Sequence, residues 1–415
     1  MLTKAVRLHG VNDLRLETFE LPDITDGEIL ASVVSDSICR STCKAAAQGE
    51  AHKRVPEDIA KNPVIVGHEF CGVIEKVGAE WRDSFSPGDR FVLQPARENS
   101  YAAPGYSFQF CGGDATRIII PRELIAEGCL IRYTGEAYFP GSLAEPVSCI
   151  IAGLRSSYHT LPGHRHEMGI KLGGKAAVLA GAGPMGIGMV DCIVRSERRP
   201  SLLAVTDIDG ERLSRAKKLM SPEKAAEYGV RLIYMDANDP GGSEDCLRRI
   251  SDGGFDDIFV LAPVKSLVET ADRLLCRDGC LNFFAGPTAP DFSAGFNFYN
   301  AHYSSTHIVG TSGGDADDMR EAISLISAGR INPASMITHI CGLDAVAEAT
   351  LASDQQSGKK LCYTQLSLPL TAISDFERLG ASDPMFAELA RLTAENGGIW
   401  CAAAESYLLG HARRI

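Results

Sequence analysis

Two patterns of apolar and polar positions divide the chain. Up to about residue 155, short β-rich runs separated by turn residues predict an irregular, barrel-like β domain, with strands at 3–8, 29–35, 71–77 and 90–93. From about residue 156, apolar strands alternate with amphipathic helices, and the predicted strands are 176–180, 202–206, 231–235, 258–262, 280–285 and 307–310. Six strands that alternate with helices favour a parallel, doubly wound sheet.

The pattern changes again after residue 313. A helix is predicted at about 315–328 and short strands at 337–340 and 361–365, so we expect the chain to return to the β domain. The predicted domains are 1–155 with 314–365, an inserted 156–313, and a helical C-terminal extension, 366–415. The extension has apolar residues at helical spacing, and we expect it to serve packing or oligomer contacts rather than catalysis.

Composition narrows the class of protein and its partners. With 415 residues and 45% hydrophobic residues, the chain is expected to form two or three globular domains. The first thirty residues lack the pattern of a secretory signal, and no run approaches the ~20 apolar residues of a membrane span, so we expect a cytoplasmic protein. Thirteen scattered cysteines suit reduced thiols. A net charge of −12 argues against nucleic acid and anionic membranes as partners.

A glycine-rich loop joins the first strand of the second region to a helix. The glycines allow a tight turn and close approach of a pyrophosphate to the helix N-terminus, at Gly181, Gly183, Pro184, Met185 and Gly186. Asp207 ends the next predicted strand, where a carboxylate would bind the adenosine ribose and repel a 2′-phosphate, so NAD is favoured over NADP. Arg212 leaves some affinity for that phosphate open. The alternative is a turn whose glycines serve packing alone.

Four residues in the first region offer donors that suit zinc. Cys39, His68, Glu69 and Glu145 provide a thiolate, an imidazole and two carboxylates, and a catalytic zinc needs about three such ligands. Residue chemistry leaves the alternatives open: a core thiol at Cys39, a hydrogen-bonded histidine at His68, and a solvated acid at Glu145.

The order of these motifs resembles the zinc-dependent medium-chain dehydrogenases, which include sorbitol and alcohol dehydrogenases. Four motifs carry the resemblance, which runs from about residue 3 to residue 365: 37–41, 67–72, 143–146 and the glycine loop. It implies an α/β fold with a GroES-like β-rich catalytic domain, an inserted Rossmann domain, and a substrate cleft between them. The helical extension comes in addition.

The resemblance also implies roles for the motif residues. Cys39 and His68 match zinc ligands, Glu69 and Glu145 match the acidic ligand positions, and Ser41 matches the hydroxyl that passes on the substrate's proton. Lys44 stands where many relatives carry a histidine at the outer end of that relay; it could relay with a lowered pKa, or bind substrate or ribose oxygens. The segment 90–117 has one cysteine where many relatives have a four-cysteine lobe, so one zinc per chain is expected.

Further segments resemble family members that reduce the keto group of a sugar phosphate: 36–56, 103–107, 112–116 and 298–303. The expected substrate is a polyol or ketose, phosphorylated sugars included. Lys53 and Arg54 are candidates for binding the phosphate, with a solvated basic loop as the alternative. For a substrate contact of His302 there is only the resemblance.

Two other functions remain open at this point, a zinc-free reductase of activated double bonds and a dinucleotide-binding sensor without catalysis. The joint presence of Cys39, His68 and Glu145 argues against the first, and Lys44 is the one hint of the second. We expect a homo-oligomer, either a dimer or a tetramer.

Overall fold

The computed structural model describes residues 1–97, 100–352 and 358–415, which fall into two units. Unit 1 comprises Met1–Pro146, Asp315–Ser327 and Pro333–Ile415, and unit 2 comprises Val147–Gly314 and Ala328–Asn332. The first boundary lies at Pro146, inside a helix, rather than at 155. The C-terminal extension belongs to unit 1 instead of standing apart.

The chain up to the first boundary consists mainly of strands. Its elements in order are β1 (Leu2–Gly10), β2 (Asp13–Glu20), β3 (Ile29–Ile38), α1 (Arg40–Gln48), β4 (Val64–Ile65), β5 (Phe70–Val77), β6 (Arg90–Leu93), β7 (Arg117–Ile120), α2 (Arg122–Ala126), β8 (Leu130–Arg132), α3 (Phe139–Ser142) and α4 (Ala144–Ser156).

Strands and helices alternate in most of unit 2. The elements are β9 (Tyr158–Leu161), β10 (Arg165–Met168), β11 (Lys175–Leu179), α5 (Pro184–Arg195), β12 (Leu202–Asp207), α6 (Gly210–Leu219), α7 (Pro222–Glu227), β13 (Arg231–Asp236), α8 (Glu244–Ser251), β14 (Phe255–Val260), α9 (Lys265–Leu274), β15 (Leu275–Phe283), α10 (Phe298–Tyr303) and β16 (His307–Gly310).

The last part of the chain adds α11 (Ala316–Ser327), β17 (Ile337–Gly342), α12 (Val346–Leu351), β18 (Lys359–Tyr363), β19 (Thr371–Ala372), α13 (Phe376–Gly380), α14 (Pro384–Glu395) and α15 (Ala402–His411). Short 3₁₀ turns occur at Gly49–Ala51, Ala79–Trp81, Pro240–Gly242, Pro333–Met336, Leu343–Ala345 and Ile373–Asp375. No helix among the described residues has the length and apolar character needed to cross a bilayer.

Strand β3 is central to the main sheet of unit 1. The sheet has the order β19-β17-β18-β3-β5-β6-β8, and β7 also pairs with β3. β3 runs antiparallel to both β5 and β18, with Asp36 opposite Phe70 and Ile38 opposite Lys360. The end of β3 and the beginnings of β5 and β18 therefore lie at the same edge of the sheet, which brings together residues far apart in sequence.

Unit 2 confirms the predicted doubly wound sheet. The sheet has six strands, all parallel, in the order β13-β12-β11-β14-β15-β16, while β9 and β10 form a separate antiparallel hairpin. The order reverses direction at β11, and in such sheets ligands bind beyond the carboxyl ends of the strands at this point. The loop that follows β11 is the glycine-rich loop.

Two strands of unit 2 begin earlier than predicted. β14 starts at Phe255 rather than 258 and β15 at Leu275 rather than 280. Two buried aspartates interrupt the apolar pattern at the start of β14, and an exposed arginine and a half-buried aspartate interrupt it at the start of β15. Asp256 accepts hydrogen bonds from Lys171 Nζ and Lys175 N, and Asp257 contacts His159. Burial of these carboxylates is offset by their partners, so they can stand inside a sheet.

Candidate active site

Two of the sequence motifs meet at the shared edge of the unit 1 sheet. β3 leads directly into Cys39, the N-cap of α1, while His68 and Glu69 immediately precede β5. Gly67 turns the chain ahead of them with φ +85°, and a Cβ there would lie 2.6 Å from the backbone N of Asp114. Both the backbone conformation and the close approach therefore require glycine in front of His68.

Cys39, His68 and Glu69 form a group that could hold a metal ion. One donor atom of each, a sulfur, a ring nitrogen and a carboxylate oxygen, lies within 4.8 Å of the other two. Within 1–97, 100–352 and 358–415 this is the one group of at least three such side chains. Thiolate, imidazole and carboxylate are a donor set that zinc accepts, so the residues present fit that ion.

The protonation of the donors matters for this fit. Burial, followed by the charge of Glu69, raises the pKa of the Cys39 thiol to about 12, so a thiolate there needs a cation beside it. Burial lowers the pKa of His68 to about 4, which keeps the imidazole neutral, the form that binds metals.

The Glu69 carboxylate is held by two buried partners. Lys359, at the start of β18, donates to both oxygens, at 2.5 Å for Oε1, and Ser37 also donates to Oε2. The side chains of Lys359 and Glu69 are 6% and 1% exposed. Burial is the largest single effect and would raise the pKa of Glu69, but the charges of Lys359 and His68 and the hydrogen bonds from Lys359 and Ser37 together outweigh it and lower the pKa. Glu69 is therefore ionised and fixed in position.

Hydroxyl groups surround the His68 ring. Ser41 Oγ donates to Cys39 Sγ at 3.0 Å and lies 3.2 Å from His68 Nε2, and Thr42 Oγ1 lies 3.3 Å from Nδ1. The Tyr106 hydroxyl donates to Ser41 Oγ at 2.8 Å, and its ring centroid is 4.9 Å from that of His68. Ser41 thus lies between the predicted ligands and a buried tyrosine that the sequence did not single out.

Two buried carboxyl groups lie behind the donor group. Asp36 Oδ1 accepts a hydrogen bond from the Glu69 backbone N at 3.0 Å, and Asp36 and Asp114 are each 1% exposed or less. Burial, and for Asp36 also the neighbouring Asp114, raises both pKa values, that of Asp114 to about 7. The pair therefore favours the loss of one negative charge, which limits the charge next to Glu69.

Two further predicted residues belong to the same part of unit 1. Glu145 lies in the first turn of α4 and is 8% exposed, and its charge contributes to the raised pKa values of Cys39 and Lys359. Lys44 lies on α1, half-buried, and its charge contributes to the lowered pKa of His52. Both predicted residues therefore act electrostatically on groups of this site.

The basic loop 52–54 adjoins the donor group through Tyr106. His52 stacks on the Tyr106 ring with centroids 5.6 Å apart, and the Arg54 guanidinium lies 5.3 Å from the same centroid. The Lys53 ammonium is 5.5 Å from the Tyr101 ring. Burial first, and then the charges of Arg54, Lys53 and Lys44, lower the pKa of His52. One aromatic ring thus separates a cationic loop from His68.

The glycine-rich loop of unit 2 has the predicted strand–turn–helix geometry. Gly183 is the N-cap of α5 and Pro184 is its first residue, while Met185 is half-buried in the first turn. A Cβ on Gly186 would lie 2.1 Å from the Gly181 carbonyl oxygen, whereas one on Gly183 would meet nothing within 4 Å. Gly186 is therefore required for close packing, and Gly183 leaves open space at the helix N-terminus.

Asp207 adjoins this loop at the end of β12. Its Oδ2 accepts a hydrogen bond from Ala182 N at 2.9 Å, and its Oδ1 accepts from Ile208 N at 2.9 Å. Arg212 instead pairs with Asp209 at 3.1 Å, with both side chains about two-fifths exposed, at 41% and 39%. The carboxylate is thus fixed beside the glycine loop, while the arginine is already engaged by an acid.

His302 lies elsewhere in unit 2, on the short helix α10. It is exposed, and its ring meets Tyr303 edge-on at 4.5 Å. Phe298, Tyr299 and Tyr303 of the same helix are 80%, 69% and 62% exposed. The structure therefore places His302 on an aromatic surface, not among the residues of the glycine loop.

The chain is similar to known proteins over nearly all of its length. Residues 25–148 match the family described as the alcohol dehydrogenase GroES-like domain. The chain is 49% identical to the mannitol-1-phosphate 5-dehydrogenase of Aliivibrio fischeri, over 98% of this chain and 97% of that protein. It is 46% identical to the L-sorbose 1-phosphate reductase of Klebsiella pneumoniae, over 100% of this chain and 98% of that protein.

The solved structure of 2R,3R-butanediol dehydrogenase from Bacillus subtilis has the same fold, with a TM-score of 0.72 at 21% sequence identity. The match covers 87% of this chain and 99% of that one, so part of this chain has no counterpart there.

Proposed function

The chain belongs to the zinc-dependent medium-chain dehydrogenase/reductase family and is an oxidoreductase, and from that premise we propose that it interconverts a hexitol phosphate and a ketose phosphate. A hydride would pass between the substrate carbon and a nicotinamide cofactor. The observation that carries the proposal is the position of a cationic loop one tyrosine ring away from a zinc-compatible donor group.

We propose that Cys39 and His68 hold a zinc ion together with a carboxylate from Glu69 or Glu145. Zinc, when bound, supplies a Lewis acid that polarises the substrate's keto group. Because Lys359 and Ser37 already hold Glu69, its role includes balancing charge beside the ion. A comparison of zinc affinity in Glu69→Gln and Glu145→Gln would tell which carboxylate is the stronger ligand.

Ser41 is proposed to hand a proton to the substrate oxygen during reduction. Ser41 Oγ donates its proton to Cys39 Sγ and accepts one from the Tyr106 hydroxyl. A substrate oxygen that replaced the sulfur as acceptor would take the serine's proton, and the proton of Tyr106 would replace it on Ser41. Ser41 thus presents a proton beside the donor group without carrying a charge. Lys44, in place of the usual histidine, is proposed either to relay the proton with a lowered pKa or to bind substrate or ribose oxygens.

The cofactor is proposed to be NAD(H) in preference to NADP(H). The Asp207 carboxylate is fixed by backbone N–H groups beside the glycine loop, in a position suited to accept hydrogen bonds from ribose hydroxyls. The 2′-phosphate of NADP would be repelled by that negative charge. Arg212, which could have bound the phosphate, is paired with Asp209.

Lys53 and Arg54 are proposed to bind the substrate's phosphate. No carboxylate in the described ranges forms an ion pair with either side chain, so their charges are available to an anion. Arg54 is also oriented by Tyr106, and its backbone oxygen accepts a hydrogen bond from Ser107 at 2.6 Å. Charge-assisted bonds from a guanidinium suit phosphate well.

The decisive experiment is a panel of polyols and ketoses, free and phosphorylated, assayed with NAD(H) and NADP(H). We expect turnover of a phosphorylated hexitol with one equivalent of zinc, and loss of zinc and activity in Cys39→Ser but not in the neighbouring Cys43→Ser. Activity that survives chelation would favour a zinc-free reductase. Nucleotide binding without any turnover would favour a sensor.

The phosphate site has its own test. Lys53→Ala combined with Arg54→Ala should raise the KM for the phosphorylated sugar by about 100-fold or more, since two charged hydrogen bonds of ~1.5–3 kcal/mol each are lost, and should leave the KM for the free sugar nearly unchanged. The exposed Lys61→Ala is the matched control for a lost positive charge. Equal effects on both substrates would refute the assignment.

We also propose that the protein is a homodimer, or a tetramer built from such dimers, that associates through α10 and β16. β16 is a sheet edge, pairing with β15 alone among the described strands, and the adjoining helix exposes Phe298, Tyr299 and Tyr303. An exposed aromatic patch beside an edge strand favours a protein partner. Phe298→Ser with Tyr299→Ser should lower the mass measured by light scattering; an unchanged mass would exclude this surface.

His302, on the same helix, remains a substrate candidate supported by the resemblance alone.

A further inference from the structure

The last helix of the chain contains a buried carboxylate with three hydrogen bonds. Glu405, on α15, is 2% exposed. Its Oε2 accepts from Tyr138 N at 2.5 Å, and its Oε1 accepts from Phe139 N at 2.8 Å and from the Tyr363 hydroxyl at 2.9 Å. The same tyrosine oxygen accepts from Trp400 Nε1 at 2.8 Å. Such a fully bonded buried acid fixes the positions of its donors.

The first two donors begin the segment that leads to Glu145. Tyr138 is the N-cap of α3, and Leu143 N, one residue before α4, donates to the Phe139 carbonyl oxygen at 3.1 Å. Glu145 follows in the first turn of α4. The position of the Glu145 backbone therefore depends, through one short helix, on the bonds to Glu405.

The third donor, Tyr363, ends the strand whose lysine pairs with Glu69. Tyr363 is the last residue of β18, and Lys359, which pairs with Glu69, is the first. A strand of five residues is stiff compared with a loop, so a fixed end at Tyr363 also fixes Lys359. Glu405 thus bonds both to the segment that leads to Glu145 and to the strand whose first residue, Lys359, pairs with Glu69.

We infer that Glu405 is a positioning residue for the metal centre, acting through α3 on Glu145 and through β18 on the Lys359–Glu69 pair. This inference rests on the proposed zinc site. Groups that orient metal ligands typically change metal affinity 10- to 100-fold when mutated, because ligand positions must hold to within about 0.5 Å. The tail would thereby determine how tightly the opposite end of the chain binds zinc.

The alternative is that the tail serves packing only. Apolar residues of α15 and its neighbours form a common cluster with α3 and β18, and Leu408 is among those fully buried there. Leu408→Ala creates a cavity on the same helix, one turn from Glu405, but leaves all three hydrogen bonds in place. It is therefore the matched control, a variant that loses stability but keeps the hydrogen bonds of Glu405.

The test is zinc affinity of the full-length protein, measured by competition with a chromophoric chelator, beside the melting temperature of each variant. In Glu405→Gln the amide NH₂ replaces one of the two oxygens and so faces one of the two backbone N–H donors, and we expect the zinc Kd to rise about 10- to 100-fold. Leu408→Ala should melt earlier yet keep its zinc Kd within about twofold, the outcome expected for two independent sites.

Tyr363→Phe removes one of the three bonds and provides a second variant should Glu405→Gln fail to fold. Its zinc Kd should rise more than that of Leu408→Ala. An unchanged Kd in both hydrogen-bond variants, or an equal rise in Leu408→Ala, would overturn the inference while leaving the zinc site in place. A wild-type protein that binds no zinc would overturn the proposed metal centre, and the inference with it.

Discussion

Replacing Lys359 with methionine removes the cation that faces Glu69 while nearly preserving side-chain volume. The pair is among the most buried charges of unit 1, with side chains 6% and 1% exposed. Removing one partner of a buried pair leaves an uncompensated charge, and this costs about 3–5 kcal/mol. Glu69→Gln leaves the buried lysine unpaired instead and should lower the free energy of unfolding by a similar amount. The double variant buries no charge here, so it should be less destabilised than the sum of the two single variants by ~0.5–3 kcal/mol.

Urea unfolding of the metal-free protein, monitored by tryptophan fluorescence, measures these changes in the free energy of unfolding of unit 1. The chain has two tryptophans, Trp81 and Trp400, and both belong to unit 1. The signal is therefore insensitive to unfolding of unit 2, which matters because a chain with two units need not unfold in one step.

An exposed ion pair of unit 1 provides the control. Arg122 and Glu80 are 68% and 42% exposed, and Arg122→Met should cost at most about 1 kcal/mol. A cost for Lys359→Met no greater than this, or strictly additive costs in the double variant, would refute the claim that the buried pair is a coupled unit. Zinc should be removed throughout, since its own binding energy would otherwise be added to every difference.

Three further predictions concern unit 2. Burial opposes the protonated form of His159, but the hydrogen bond to Asp257 and the charges around it outweigh burial and raise its pKa above 6.5, so its stabilising effect is complete below pH 6.5 and is lost as the pH rises through the raised pKa. Thermal melts by circular dichroism should therefore lose this pH dependence in His159→Gln; the same slope in both proteins would contradict the assignment. Asp207→Ser should lower the ratio of kcat/KM for NAD over NADP by about tenfold or more, as a charged hydrogen-bond partner is lost, and an unchanged ratio would remove Asp207 from cofactor selection. Gly186→Ala places a Cβ 2.1 Å from a backbone oxygen of the same loop and should cost ~1–3 kcal/mol, whereas Gly183→Ala, with open space, should melt like the wild type; equal melting would argue against tight packing at Gly186.

The regular parts of the fold could be predicted because their signals are local. Apolar periodicity located the six parallel strands of unit 2, and the predicted family and fold class are confirmed by the full-length relatives and the matching solved structure. The hairpin β9–β10 was missed, since residues 158–168 are rich in histidine and charged residues and lack strict apolar alternation. Strand β2 was also missed; all of its positions are half-buried or exposed, so it carries no buried apolar face.

The site shows the same division between local and distant signals. Cys39, His68 and Glu69 stand in recognisable motifs and lie together in the structure. Lys359 gives no such signal, because a lysine in an apolar strand reads as a surface residue until its partner, distant in sequence, is known. Tyr106 lies in the segment 103–107, which resembles sugar-phosphate reductases of the family. Its contact with Ser41 depends on how this segment folds against α1, and the sequence does not show that. For Glu405 the helical pattern of the tail indicated packing alone.

Unit 1 is built from the beginning and the end of the chain, with most of unit 2 between them, and this order matters during synthesis. Glu69 and Lys359 are separated by 290 positions. At roughly 5–20 residues per second, the lysine leaves the ribosome about 15–60 s after its partner. Throughout that interval the nascent chain presents Asp36, Glu69 and Asp114 without the cation that the folded protein supplies. The carboxylates of the candidate metal site can therefore gain their cation only late in synthesis, whereas unit 2, whose strands are nearly contiguous, can fold well before that point.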